Sequence, residues 1–159
     1  MRLLLLVFLA GCSIMFGGPR GPVSAKGNHY SIRFQAPDWV QKQDERSDYV
    51  LENQRDGRIL LSNSFCDEFQ EKGLAELARK TFNSVDGFRV AEERSLTFHN
   101  REAYRLEGAG KVDGVEVRMK IQNTRRNNCY FDFVSITPAS VGKSSDPEFE
   151  QFLGSVDFK

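Results

Sequence analysis

Three cysteines and two histidines are the side chains of this 159-residue sequence best suited to covalent or metal chemistry. Cys66 follows a strand-like run and precedes a helix-forming segment, a position where a helix N-terminus lowers a thiol pKa, so a thiol-transfer role on Cys66 is one chemistry the order of residues permits. Neither a C-x-x-C nor an H-E-x-x-H pattern is present, and His29 and His99 stand seventy residues apart, each at a turn or linker position. A zinc site built from local ligand spacing is therefore not expected. No G-x-S-x-G elbow and no phosphate-cradling glycine loop occurs either; Gly108-Ala109-Gly110 falls inside a strand pattern, where glycine relieves crowding or marks a bulge. The expectation is no catalytic residue, no resident metal and no cofactor.

The third cysteine has a different context. Arg2 is the only charge ahead of the apolar run Leu3 to Ala10, and Gly11 precedes Cys12, which is the charge, apolar core and small-residue order of an export signal. The run is too short to span a bilayer. Leu9-Ala10-Gly11-Cys12 resembles the lipobox of bacterial lipoproteins at all four positions. That resemblance implies diacylglyceryl transfer to Cys12, cleavage before it and acylation of the new amino terminus, and several acyl chains together make a stable anchor. Ser13 follows where an aspartate would favour retention in the inner membrane of a Gram-negative cell, so the expected place is the outer membrane, facing the periplasm. Residues 1–11 are then the signal peptide and 12–28 the lipidated start and linker. Residues 13–28 hold four Gly and two Pro without apolar periodicity, and sixteen flexible residues reach roughly 20–24 Å.

With Cys12 given to lipid, Cys66 and Cys129 remain as an even pair. In an oxidising compartment such a pair reads first as a disulfide, with buried free thiols and a catalytic or metal-binding pair as alternatives. Removing the first eleven residues leaves 148, enough for one domain, with 21 basic against 22 acidic side chains. Near-neutral charge gives no reason to expect nucleic acid.

These residues must be held by elements, and the periodicities predict them. Tyr30, Ile32, Phe34 and Ala36 alternate with polar residues, the period of a strand with one buried face, ended by Pro37. Asp48 to Asn53 and Arg58 to Phe65 flank Asp56-Gly57, read as a two-residue hairpin turn. Leu74, Leu77, Ala78, Phe82 and Val85 share one side of a helix of about three turns. Four strands follow, near 89–98, 103–110, 115–122 and 129–136. An Asp113-Gly114 turn sets Ile121 opposite Leu106 and Lys120 opposite Glu107; a three-residue turn, Asn100 to Glu102, would pair Leu96 with Leu106 and Phe98 with Tyr104. The strand from Cys129 carries Phe131 and Phe133 on one face and Tyr130, Val134 and Ile136 on the other, so it should be central, with Asp132 in need of a partner. Ser145 and Glu148 have capping-box spacing before a helix with the apolar stripe Phe149, Phe152, Leu153 and Val156, after which Phe158 packs back as a tail.

Strand, hairpin, helix, meander and helix make an α+β domain, a largely antiparallel six- to seven-stranded sheet with helices packed on it. The run Tyr30-Ser31-Ile32-Arg33-Phe34-Gln35-Ala36-Pro37-Asp38-Trp39, the helix after the hairpin, the meander and the phenylalanine-rich terminal helix resemble the PsbP-like superfamily, which includes DcrB-type bacterial lipoproteins and a Ran-binding nuclear transport factor. The resemblance covers about 29–159. It implies an α/β/α sandwich serving as a non-catalytic accessory or binding domain, and it carries no common site. Trp39 reads as a core anchor, with a surface recognition residue as the alternative, because large aromatics are highly buried on average. The leading expectation is a lipid-anchored envelope protein that binds an envelope protein partner. Two alternatives stand beside it: a small-ligand carrier or sensor with a phenylalanine-lined pocket near Phe131, Phe133 and Phe152, and a thiol enzyme using Cys66. Arg125-Arg126 reads as a solvated turn.

Overall fold

The structure is a computed structural model that describes residues 23–24, 29–67, 71–142 and 146–159. Cys12, the lipobox and the capping residue Ser145 lie outside these. In chain order the elements are β1 (Val23–Ser24), β2 (Tyr30–Ile32), β3 (Trp39–Lys42), β4 (Tyr49–Asn53), β5 (Ile59–Cys66), α1 (Leu74–Thr81) continued by a 3-10 turn (Phe82–Ser84), β6 (Asp86–Phe98), β7 (Arg101–Val112), β8 (Val115–Arg126), β9 (Cys129–Pro138), α2 (Asp146–Gly154) and β10 (Val156–Phe158). Seven strands form one antiparallel sheet in the order β3-β4-β5-β9-β8-β7-β6.

The expected architecture is present, with one rearrangement. The Tyr30 strand does not join the large sheet; β2 lies between β1 and β10 in a separate three-stranded sheet. Its buried residues Tyr30 and Ile32 and the following Phe34, together with Phe149, Phe152, Leu153 and Val156, pack onto Phe131, Phe133, Leu51 and Leu60 of the large sheet. On the opposite face α1 and the turn after it set Ala78, Phe82 and Val85 against Leu106, Val117, Met119, Ile121 and Val134. β9 is therefore central and covered on both sides, as its two apolar faces predict.

Turn chemistry decides the registers. Asp113 and Gly114 both have positive φ, 49° and 81°, and the two-residue turn they make places Leu106 opposite Ile121 and Glu107 opposite Lys120, whose charged ends are 3.2 Å apart. The β6–β7 register differs from the expected one. His99 and Asn100 take positive φ, 47° and 60°, so the turn has two residues and ends at Asn100; Phe98 pairs with Arg101 and Leu96 with Ala103. The apolar pattern misled here because β6 is an edge strand with most of its residues exposed, and a strand with little buried surface cannot specify register through its side chains. The β4–β5 connection also differs. Only Gly57 has positive φ, and the loop spans Gln54 to Gly57 because the Asn53 carboxamide oxygen accepts the Arg55 and Asp56 backbone N–H groups.

Trp39 is half-buried rather than a fully enclosed core anchor, since β3 is the other edge strand. Its ring packs edge-on against Phe34, its Nε1–H donates to Glu148 of α2 at 3.2 Å, and the Arg58 guanidinium lies 5.3 Å from the ring centre. Glu148 also pairs with Arg58, so it ties α2 to β3 and β5.

Gly108 and Gly110 sit opposite Met119 and Val117 as expected, and what crowds them is β6. A Cβ on Gly108 would stand 2.4 Å from both the Arg89 carbonyl oxygen and the Phe88 ring, beside the register shifts that bulge β6. Gly108→Ala is thus expected to destabilise the domain by about 1–3 kcal/mol through overpacking. An unchanged urea midpoint would show that β6 yields without cost.

Candidate functional site

β5 ends and β9 begins at one place, and the ladder between them sets Cys66 directly opposite Cys129. The two are joined as a disulfide across 63 residues of sequence. The tight turn at Asn127 and Asn128 starts β9 at this level, and the Asp67 N–H closes the corner on the Asn128 carbonyl at 2.9 Å. Cys129 is buried and Cys66 is half-buried, so the bridge is reached from the Cys66 side.

His29 stands in front of it. The Lys159 N–H donates to the His29 carbonyl at 3.0 Å, continuing the β2–β10 pairing, and this fixes the histidine at the end of the small sheet that overlies the bridge. One imidazole nitrogen and both sulfurs all lie within 4.8 Å of one another. His29 is exposed, so the group opens to solvent. His99 goes elsewhere: its ring meets Phe98 at 4.5 Å and Phe158 at 5.4 Å. Sequence distance concealed the association, because His29 precedes Cys66 by 37 residues and belongs to a different sheet. The usable signal was the apolar tail at Val156 and Phe158, which pairs with β2 and draws its end over the large sheet.

A second polar group lies beneath α1. Asp132 is fully enclosed at the centre of β9; burial pushes its carboxyl up to about 7, although Tyr130 and Thr81 donate hydrogen bonds that favour the charged form. The chain of donors continues from Asn123, whose Nδ2 reaches the Tyr130 hydroxyl at 2.8 Å and the Leu74 carbonyl at 2.9 Å. Asp132 Oδ1 and Asn123 Oδ1 have no donor, and the two residues face each other in the β8–β9 register. Asp132 thus finds part of what its burial requires. Asn123, Tyr130 and Asp132 are all buried, and the chemistry of the cluster is that of a buried proton.

The face that carries α2 is polar beyond the helix. Arg105 is covered, bonded to Gln122 and to Glu150 of α2, with Phe149 against its guanidinium. Past it, Glu107, Ala109, Arg118, Lys120 and Thr137 line an open cleft of about 330 Å³. Arg118 holds the Val141 and Gly142 carbonyls at 2.7 and 3.2 Å, and Lys120 is paired with Glu107. Among the described residues the expected pocket near Phe131, Phe133 and Phe152 is filled: those side chains are 2, 0 and 0% exposed, and Tyr30 packs edge-on against Phe131 and Phe133 with ring centres 5.4 and 6.0 Å apart. No helix among the described residues is long and apolar enough to cross a membrane.

No protein-family model matches the sequence, and no curated protein matches it. Solved structures do resemble it. The solution structure of cyanobacterial PsbP (CyanoP) from Synechocystis sp. PCC 6803 aligns over 94% of this chain and 99% of its own, with 12% identity and a TM-score of 0.61. LpqN from Mycobacterium tuberculosis, described as involved in cell envelope biogenesis, aligns over 87% of this chain and 90% of its own, with 10% identity and a TM-score of 0.63. The chain therefore has the PsbP-like α+β fold, and identities at this level speak to the fold alone.

Proposed function

We propose that this chain is a lipid-anchored protein of the bacterial cell envelope, held by acylated Cys12, whose domain at residues 29–159 acts as a non-catalytic binding module for an envelope protein complex. The lipobox Leu9-Ala10-Gly11-Cys12 and the glycine- and proline-containing linker behind it support the anchor and its reach. The likeness to LpqN is compatible with an envelope setting.

The observation that carries the binding role is β6. Its thirteen residues are nearly all exposed, so this strand adds little to the core that folds the domain. Its bulges and the charged Arg89, Glu92, Glu93 and Arg94 discourage indiscriminate strand pairing. Recognition is therefore assigned to side chains of the β6–β7–β8 surface, where Glu107, Arg118 and Lys120 present mixed charge around the cleft. A partner for that surface is polar, with charges of both signs.

Cys12→Ser is expected to move the protein from the detergent-extractable membrane fraction to the soluble fraction and to abolish incorporation of labelled fatty acid. Retention of label would place the lipid elsewhere. A photo-crosslinking residue at Ala91 or Ala109 should then capture one reproducible envelope protein from the anchored form. If only the same residue placed on the opposite edge strand, at Gln41, captures a partner, the binding surface has been assigned to the wrong edge.

A further inference from the structure

We propose that, once its bridge is reduced, this domain holds a borderline-soft divalent cation of the Zn²⁺ class on Cys66 Sγ, Cys129 Sγ and an imidazole nitrogen of His29, with the fourth position open to solvent. The inference rests on the geometry of the bridge and does not depend on the lipid anchor or on any protein partner.

The three groups are the kinds zinc selects, two thiolates and one imidazole. Metal–sulfur bonds of about 2.3 Å and metal–nitrogen bonds of about 2.0 Å set ligand separations of roughly 3.5–3.8 Å in a tetrahedron. The three groups all lie within 4.8 Å of one another; once reduced, the two sulfurs must part by about 2 Å through side-chain torsions while the imidazole nitrogen moves in by on the order of 1 Å. The elements behind the ligands are fixed independently of the disulfide. The β5–β9 ladder continues from Cys66–Cys129 to Ile59–Ile136, and β10 holds β2 next to His29. Both sulfurs stay side by side on neighbouring strands when the bond between them opens. Three protein ligands with exposed His29 as the outermost make an open, exchangeable site rather than a closed structural one.

The chemistry is that of exchange with a dithiol reductant. Its thiolate attacks Cys66 Sγ, the more accessible sulfur, and Cys129 leaves as a thiolate. The second reductant thiol attacks the mixed disulfide and releases Cys66. The reductant ends as a disulfide, and its two electrons and two protons end on the two cysteines. Metal entry then displaces those protons to solvent as both sulfurs coordinate. In the oxidised chain neither sulfur is a thiolate, so the site exists only after reduction.

The test uses the whole chain, reduced with a phosphine, desalted without oxygen and titrated with Co²⁺ as the optical stand-in for zinc. The expected result is one equivalent bound, with sulfur-to-cobalt charge-transfer absorption and intense tetrahedral d–d bands that Zn²⁺ abolishes, and no such bands from the oxidised chain. His29→Ala should weaken binding by at least roughly tenfold, because even changes in residues behind metal ligands cost about 10–100-fold. His99→Ala should leave it unchanged. A reduced chain without the charge-transfer absorption overturns the proposal, as does a His29→Ala variant that binds like the native chain. Far-ultraviolet circular dichroism is recorded alongside. If reduction unfolds the domain and stoichiometric Zn²⁺ does not restore it, the proposal also fails.

Discussion

A variant with alanine at both Cys66 and Cys129 unfolds with a free energy lower than that of the bridged protein by roughly 2–4 kcal/mol. The bridge closes a span of 63 residues, and the chain-entropy estimate for such a loop is about 4 kcal/mol, with measured values commonly smaller. Most of the effect belongs to the unfolded chain. In the native state the β5–β9 ladder already aligns Ile59 through Cys66 with Ile136 through Cys129, so register survives without the sulfurs. Urea unfolding should show a lower midpoint and a steeper dependence on denaturant, since an uncrosslinked chain exposes more surface. A loss smaller than the variation among conservative surface substitutions would mean that the unfolded chain is already compact around these strands.

The domain loses stability as pH rises from about 4 to about 7, and Asp132→Asn removes that slope. Burial raises the Asp132 carboxyl from 3.8 in its ordinary state to about 7 in the folded protein. Between those values the folded chain keeps a proton that the unfolded chain has released, so folding is favoured at the acidic end. The contribution is fully present below the unfolded value and is lost as pH passes through the folded one. A shift of this size sets a ceiling near 4 kcal/mol, at about 1.4 kcal/mol per unit, and the expected change is on the order of 2–4 kcal/mol. Protonation also makes Asp132 Oδ1, a buried acceptor with no donor, part of a group that can donate. Asparagine supplies neutral polarity at the same place without titrating. Unfolding curves collected across this range should therefore diverge towards neutral pH, with the variant the more stable. Parallel curves for the two proteins would assign the slope to other groups.

Both expectations draw on residues whose importance was legible at different distances along the chain. The central, doubly covered place of β9 followed from its two apolar faces, and with it the need of Asp132 for partners. Those partners were not legible. Tyr130 is two residues away, but Thr81 comes from α1, and Asn123, which donates to the Tyr130 hydroxyl, comes from β8; nothing local to Asp132 names either. The cysteine pair was readable as a bridge because two thiols remained once Cys12 was set aside, whereas His29 joined them only through the packing of the small sheet.

Turns divide along the same line. Asp113-Gly114 could be read because both strands beside it alternate strictly, so turn chemistry and side-chain pattern agreed on one register. At His99-Asn100 the residues themselves carry the two-residue turn, but β6 is an edge with little buried surface, and its apolar residues pointed to a different register, with Leu96 opposite Leu106 where the structure pairs it with Ala103. At Asp56-Gly57 the dipeptide suggested a tighter turn than forms, because the side chain of Asn53 folds the loop from outside it.

What the sequence alone determined was whatever depends on neighbours within a few residues: strand and helix periods, the αL positions of Asp113 and Gly114, and the terminal helix with its returning tail. Tertiary structure alone decided which sheet receives β2, that Phe131, Phe133 and Phe152 close on one another, that Glu148 is spent on Trp39 and Arg58, and that His29 faces the bridge. The physical reason is range. Backbone preferences and periodic burial act over a few residues, while a shared site requires side chains from distant segments to compete for the same volume, and that competition is resolved only when the layers pack.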